Sequence, residues 1–159
     1  MKIYSINCVL GDDGDLKGNT LSPCDLFAMT DYGDGLREHG AQNSQQFPSD
    51  WRWLSSANEP HFDYPPMIDF GCVLSYRSFV RAIEVFGKLC ALRHDIAIDG
   101  ERYVWFDVKT YTKDAIATAL KSGSPLFLLK PGYKLHCSSE FRDFWIKNGF
   151  TGIDFREWQ

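Results

Sequence analysis

Residues 134–155 read KLHCSSEFRDFWIKNGFTGIDF, and this stretch decides the fold class. Residues 134–137 are typical of a strand, and either of the two serines that follow can cap a helix. The expected helix has an apolar stripe formed by Phe141, Phe144 and Trp145. Asn148-Gly149 can close this helix in the left-handed region, and residues 152–155 predict a last strand. Because the helix must bury its stripe, it needs a sheet face to pack against.

The same alternation of strand and helix extends back to residue 67. Residues 70–74 predict a short buried strand, and Ser75 can cap a helix of about 13 to 15 residues. One face of this second helix is apolar at spacings of four, three and four, and it consists of Phe79, Ile83, Phe86 and Cys90. This helix also requires a sheet to cover its apolar face.

A hairpin and a further helix lie between these two units. Asp99-Gly100 tolerates the positive φ of a type I′ turn, so it predicts a β-hairpin between residues 96–98 and 103–106. Residues 115–120 predict a helix, and residues 125–129 predict a short strand. The sequence therefore predicts an α+β fold in one domain, with a mixed or mainly antiparallel sheet and helices packed on one side.

The first part of the chain is irregular by contrast. Residues 2–9 predict an opening strand, but glycine and proline interrupt residues 10–66 repeatedly. Within that segment we expect a short helix at about 23–30. Gly33-Asp34-Gly35 and the remaining residues are expected in turns and loops.

Charge is divided unevenly along the chain. Residues 1–65 carry ten acidic and four basic side chains, a net charge of −6, whereas residues 66–159 carry a net charge of +2. The whole chain has a net charge of −4 and a pI near 5.5, which argues against a protein that binds the nucleic-acid backbone. A basic or metal-bearing partner fits this charge better.

Length, cysteine content and hydropathy further restrict the class of protein that this sequence can encode. A chain of 159 residues has room for one domain. Its five cysteines are scattered, with no pair at the spacing of a zinc or redox site, so we expect reduced thiols in a cytoplasm. No apolar run approaches the roughly 18 residues of a membrane helix, and the opening residues do not form a signal peptide. No membrane partner, metal or cofactor is expected.

No established catalytic motif is present in the sequence. Residues 13–24 begin like a calcium-binding loop, but Lys17 and Cys24 occupy two ligand positions, so a solvated acidic loop is favoured. His136-Cys137 suggests a cysteine nucleophile, yet neighbours in a strand point to opposite faces. We therefore expect Cys137 to pack inward, His136 to face outward, and no residue to be catalytic.

Residues 51–53, Trp-Arg-Trp, belong to the types enriched at protein-binding hot spots. The alternative is that one or both tryptophans cover the core beneath a loop. Together with the nearby carboxylates, these residues form the predicted partner-binding set: Asp12, Asp13, Asp15, Asp31, Asp34, Trp51, Arg52 and Trp53.

The second half of the chain resembles the immunity proteins of bacterial immunity protein family eleven. The resemblance spans about residues 67–157, and residues 1–9 are similar to the family's opening strand. Its most specific part is the end of the chain, where an apolar strand, a Ser-Glu-Phe helix start and a Gly-x-x-Gly-x-x-Phe finish all occur. The segments that carry it are DFGCVLS at 69–75, YVWFDV at 103–108, PLF at 125–127, PGY at 131–133, SSEFRDF at 138–144 and NGFTGIDF at 148–155.

This resemblance implies a function in competition between bacteria. Members of the family bind and silence a cognate toxin encoded beside them, often one delivered by contact-dependent or type VI secretion machinery. We therefore expect a scaffold at 67–157, a toxin-contacting segment at 10–66, and a toxin with a basic cleft. Two alternatives remain open: a small hydrolase using a Cys or His, and a self-associating structural domain that forms a homodimer.

Overall fold

The computed structural model describes residues 2–54, 59–66 and 71–159. Its strands are β1 (Ile3–Cys8), β2 (Leu21–Pro23), β3 (Trp51–Trp53), β4 (Cys72–Ser75), β5 (Arg93–Ile98), β6 (Glu101–Phe106), β7 (Thr110–Tyr111), β8 (Leu126–Leu129), β9 (Lys134–Ser138) and β10 (Ile153–Glu157). Its α-helices are α1 (Leu26–His39), α2 (Tyr76–Phe86), α3 (Ile116–Lys121) and α4 (Ser139–Lys147). Within these described residues, no helix is long and apolar enough to cross a membrane.

The strands form three sheets, and most of their pairings are antiparallel. The largest sheet has the order β10-β1-β9-β8-β7, and only its β7–β8 pair is parallel. A second sheet has the order β4-β6-β5, and β2 pairs with β3 in the third. With helices packed against these sheets, the predicted α+β class is confirmed.

The main core lies between the five-stranded sheet, the three-stranded sheet and helices α2 and α4. Both helices begin where predicted, because Ser75 accepts a hydrogen bond from the backbone N of Ser78 and Ser138 accepts one from that of Phe141. The stripe predicted for α4 is buried here, since Phe141, Phe144 and Trp145 belong to one cluster with β-strand residues of both sheets. Of the stripe predicted for α2, Phe79 is buried in the same cluster, and Ile83 and Phe86 are partly buried against it.

Helices cover both faces of the five-stranded sheet, whereas the sequence predicted helices on one side. Helix α3 packs through Ala119 on the face opposite α4, against Ile3, Phe127 and Leu129. The reason is visible in β8, whose four residues are all apolar. Successive residues of a strand point to opposite faces, so both faces of this strand require an apolar cover.

The β-hairpin predicted between residues 96–98 and 103–106 is confirmed and is formed by β5 and β6. Asp99 and Gly100 both have positive φ, 49° and 80°, as a type I′ turn requires.

Helix α2 ends at Phe86 because Gly87 takes a φ of 77° at its C-cap, so the helix is shorter than predicted and Cys90 lies beyond it. The predicted strand at 70–74 begins at Cys72 among the described residues, and Phe70 lies outside them.

Residues 10–66 are more regular than predicted. Helix α1 runs for 14 residues and passes through Gly33-Asp34-Gly35, which the sequence placed in a turn. Both glycines are buried, and a Cβ added at Gly35 would overlap the Asn43 side chain, so close packing explains the glycine at 35. Helix α1 and the β2–β3 pair pack on the three-stranded sheet in a second core cluster that includes Met29 and Trp105.

Residues 59–66, which we call the crossing segment, form hydrogen bonds both to the chain before β2 and to the turn before β10. Its Pro60 carbonyl accepts from the N of Asn19, and the N of Tyr64 donates to the Thr151 carbonyl at 3.0 Å. Asp63, only 4 % exposed, is its most highly bonded residue. Arg77 donates two hydrogen bonds of 2.8 Å to the Asp63 carboxylate, Ser75 Oγ donates one of 2.6 Å, and the N and Oγ1 of Thr151 donate two more. One carboxylate therefore joins β4, α2 and the turn before β10.

Candidate functional site

The outward side of α1 presents an aromatic ring among carboxylates. Phe27 is 85 % exposed, more than any other large apolar side chain among the described residues. Leu26 beside it is half exposed, and Asp31 and Asp34 follow at the i+4 and i+7 positions on the same side of the helix. We call Leu26, Phe27, Asp31 and Asp34 the acidic helix face.

The inward side of α1 fixes the rotation of the helix. Met29 and Tyr32 are buried in the second core cluster, and the Tyr32 hydroxyl lies 2.7 Å from Nε2 of His94. The Phe47 ring stacks on His94 with centroids 4.2 Å apart. Burial raises the pKa of Tyr32 and lowers that of His94, so this hydrogen-bonded pair is uncharged at neutral pH. With these side chains held inside, Phe27 must point away from the core.

The start of α1 is fixed by a side-chain cap and by a backbone hydrogen bond just before the helix. Oδ1 of Asp25 accepts a hydrogen bond of 3.0 Å from the backbone N of Ala28, which caps the helix. Just before the helix, the N of Cys24 donates to the Asp50 carbonyl at 2.9 Å. Residues 25–39 carry four carboxylates against one arginine, so the surface around Phe27 has a negative potential.

The three carboxylates predicted nearest the amino terminus lie on a separate exposed turn. Asp12, Asp13 and Asp15 are all exposed, and the N of Asp15 donates to Oδ1 of Asp13 at 3.1 Å. Leu10 and Leu16 form an antiparallel bridge at the base of this turn. We call residues 11–15 the acidic turn. Among the described residues no group of three His, Cys, Asp or Glu side chains is arranged to hold a metal ion.

The structure divides the Trp-Arg-Trp motif between core and surface. Trp51 is 8 % exposed, belongs to the second core cluster and donates its Nε1 hydrogen to the Pro48 carbonyl. Trp53 is half-buried and stacks on His61 with centroids 4.0 Å apart. Arg52 alone is exposed, because the alternation of β3 places it opposite the tryptophans. Trp51 is therefore a core residue, as the alternative interpretation held.

His136 and Cys137, the pair suggested for a cysteine nucleophile, lie on opposite faces of β9. Cys137 is fully buried in the main core, where burial raises the pKa of its thiol. His136 lies on the opposite face of β9, as predicted, but it is 3 % exposed and stacks on Phe127 instead of facing outward. The second face of β9 is buried because this sheet is covered on both sides. His61 is held between Glu101, 2.5 Å from its Nδ1, and Asn19, 3.1 Å from its Nε2.

Phe27 is absent from the residues predicted from the sequence. Leu26, Phe27 and Met29 are apolar and favour the short helix predicted at about 23–30, but their apolar character does not indicate which of them faces the core. The periodicity of a longer helix could have identified Phe27. Met29, Tyr32 and Leu36 recur at spacings of three and four and form one stripe, and Phe27 lies outside that stripe.

Comparison with known proteins returns nothing similar to this chain. No protein-family model, no curated protein and no solved structure matches it.

Proposed function

We propose that this protein is an immunity protein, which binds and neutralises a cognate bacterial toxin and so protects the cell that makes it. The observation that carries the proposal is Phe27, held 85 % exposed on a helix whose surrounding charges are mainly acidic. The family resemblance of residues 67–157 supplies the toxin as the expected partner.

The acidic helix face has the physical properties of a protein-binding surface. A large aromatic ring that contacts solvent gains free energy when a partner buries it, about 2 kcal/mol for a full phenylalanine side chain. Because Met29 and Tyr32 already hold the helix in place, little conformational entropy is lost on binding. The carboxylates would attract a basic toxin cleft and speed association.

A basic protein fits this face better than a second copy of the chain. In a two-fold symmetric dimer each patch contacts the same patch of the partner. Phe27 would then bring Asp31 and Asp34 of both copies together, and the like charges would repel. We expect light scattering of the isolated protein to give a monomer mass.

Co-expression tests the proposal directly. The product of the neighbouring gene, induced alone in a bacterial host, is expected to stop growth, and this protein is expected to restore it. The two purified proteins should also co-elute as a complex. A neighbouring product that is harmless, or one that kills despite high levels of this protein, would contradict the proposal.

Phe27→Ala is expected to weaken toxin binding by about 30-fold, which corresponds to the 2 kcal/mol typical of a hot-spot aromatic. The side chain is exposed, so the free energy of unfolding should stay unchanged. Isothermal titration calorimetry measures the affinity, and Ile146→Ala on α4, which removes another exposed apolar side chain, is the matched control. An unchanged affinity of Phe27→Ala would remove Phe27 from the interface.

Replacing Asp12, Asp13 and Asp15 together by asparagine should slow association and reduce its dependence on salt. The carboxylates are exposed and act through long-range attraction, which salt screens. Stopped-flow association rates at several salt concentrations measure this effect. A control variant with Asp114, Asp143 and Glu157 neutralised makes the same change in net charge on the scaffold. An unchanged salt slope in the acidic-turn variant would show that this turn plays no part in steering.

A further inference from the structure

Two leucines lie side by side at the base of the acidic turn. Leu10 and Leu16 are 50 % and 54 % exposed, and an antiparallel bridge joins them. Residues directly opposite each other in an antiparallel pair point to the same face, with Cβ atoms about 5 Å apart. The two side chains therefore form one continuous apolar surface. We call Leu10 and Leu16 the leucine pair.

Backbone hydrogen bonds hold the leucine pair in a fixed arrangement. On one side of the bridge the N of Lys17 donates to the Val9 carbonyl at 2.9 Å. On the other side the N of Gly11 donates to the Asp15 carbonyl at 2.8 Å. The chain enters this turn from β1, which lies between β10 and β9 in the five-stranded sheet. Because the turn is already ordered, little conformational entropy is lost when a partner covers the leucines.

The leucine pair lies outside the core of the protein. In the part of the chain that the structure describes, neither leucine belongs to any of the three core clusters or packs against one of them. Both can therefore contact a partner without any change in the fold. An apolar centre surrounded by polar residues is the arrangement found in protein interfaces, and the acidic turn supplies the polar residues here.

The charge beside the leucine pair is mainly negative. Residues 10–17 contain three carboxylates, Asp12, Asp13 and Asp15, against the single base Lys17, a net charge of −2. No basic group of the described residues lies within ion-pair distance of these three carboxylates. They are therefore available to basic side chains of a partner.

We infer that the leucine pair and the acidic turn dock together into a concave, positively charged surface of the toxin. The leucines would lie against an apolar wall and the carboxylates against basic side chains. Residues 12–17 are all exposed, so the turn is convex and its partner surface must be concave. A second copy of the chain would bring like charges together, which disfavours it as the occupant. This inference rests on the proposed function and adds a second contact region to the acidic helix face.

The two kinds of side chain should affect different rate constants. Exposed carboxylates attract a basic surface over a distance, so they mainly raise the association rate. Apolar contacts form only when the two surfaces meet, so they mainly lower the dissociation rate. The leucine pair is therefore expected to determine how long the complex lasts.

Leu10→Gln with Leu16→Gln should raise the dissociation rate of the complex with the neighbouring gene product about tenfold, because about half of each side chain is still exposed for a partner to bury. The association rate should stay nearly unchanged. Surface plasmon resonance measures both rates. The matched control, Val85→Gln with Ile146→Gln, removes two side chains of similar exposure, 52 % and 55 %, from α2 and α4 and should change neither rate.

An unchanged dissociation rate in the leucine variant would overturn this inference. The proposed function would stand in that case, because the wild-type protein would still bind and neutralise the toxin. A wild-type protein that forms no complex would contradict the proposed function and this inference together. The two failures are therefore distinguishable.

A measurement on the unaltered protein does not depend on how the variants fold. A soluble gadolinium chelate should broaden the methyl resonances of Leu10, Leu16 and Val85 in the free protein, since all three are exposed. In the complex with the neighbouring gene product, the resonances of the leucine pair should lose this broadening and that of Val85 should keep it. Leucine resonances that stay equally broadened at saturation would overturn the inference.

Discussion

Gly152→Ala is expected to lower the free energy of unfolding by about 3 kcal/mol, as measured by urea denaturation. Gly152 has a φ of 103°, a conformation that residues with a Cβ adopt only at a cost. An added Cβ would also overlap the Tyr64 carbonyl oxygen and lie 2.7 Å from Cβ of Phe62. The crossing segment, residues 59–66, would therefore have to move away from the turn before β10.

Gly149→Ala separates the two causes of this destabilisation. Gly149 also has a positive φ, 67°, but no atom lies within 4 Å of an added Cβ. We expect a cost of only about 1 kcal/mol, from backbone conformation alone. If the two variants were equally stable, close approach of the crossing segment would not be the reason for glycine at 152.

Asp63→Asn should destabilise the protein by about 3 kcal/mol, because it removes a buried charge that several donors satisfy. Arg77, Ser75 and Thr151 would all lose their charged acceptor. Arg77→Gln removes two of the five hydrogen bonds to this buried carboxylate and leaves the other three, so it should also destabilise the protein, by about 2 kcal/mol. A larger effect at Arg77 than at Asp63 would contradict this account.

The same carboxylate should make stability depend on pH in the acid range. Burial raises the pKa of Asp63, but hydrogen bonds from Arg77, Ser75 and Thr151 outweigh burial, so its pKa lies below the usual value. This contribution is complete above the unfolded-state pKa of about 3.9 and is lost as pH falls through the folded-state pKa. Unfolding free energies from about pH 5 downward should therefore fall more steeply in the wild type than in Asp63→Asn. Parallel slopes would exclude Asp63 as the source.

Several elements could be predicted because their signals are local. Ser75 and Ser138 each cap a helix by accepting a hydrogen bond from the backbone N–H three residues later in the chain. Asp99 and Gly100 form the hairpin turn through their own positive φ angles. Such interactions form between neighbours in the chain, so no knowledge of distant contacts is needed to recognise them.

The candidate site was predicted only in part. Asp31 and Asp34 were identified from charge, but Trp51 was not separated from Arg52, and Phe27 was not selected. The burial of a side chain depends on which surfaces pack together. Here the decisive contacts join α1 to the three-stranded sheet, and Tyr32 meets His94 across 62 positions of the chain.

Glycine illustrates the limit of local patterns. Gly33-Asp34-Gly35 is typical of a turn by composition, yet both glycines are buried within α1. Residues 59–66 were grouped with the irregular segment expected to contact the toxin. In the structure, Asp63 instead joins β4, α2 and the turn before β10.

The α+β class, the capped helices, the hairpin turn and the acidic character of the first part of the chain can all be predicted from the amino-acid sequence. These properties follow from periodicity, capping and charge, which act over a few residues or require no geometry. The outward position of Phe27, the place of Trp51 in the core and the role of Asp63 as a shared acceptor become apparent once the fold is known. Each of these depends on contacts between residues far apart in the chain, and those contacts exist only after the sheets and helices have packed together.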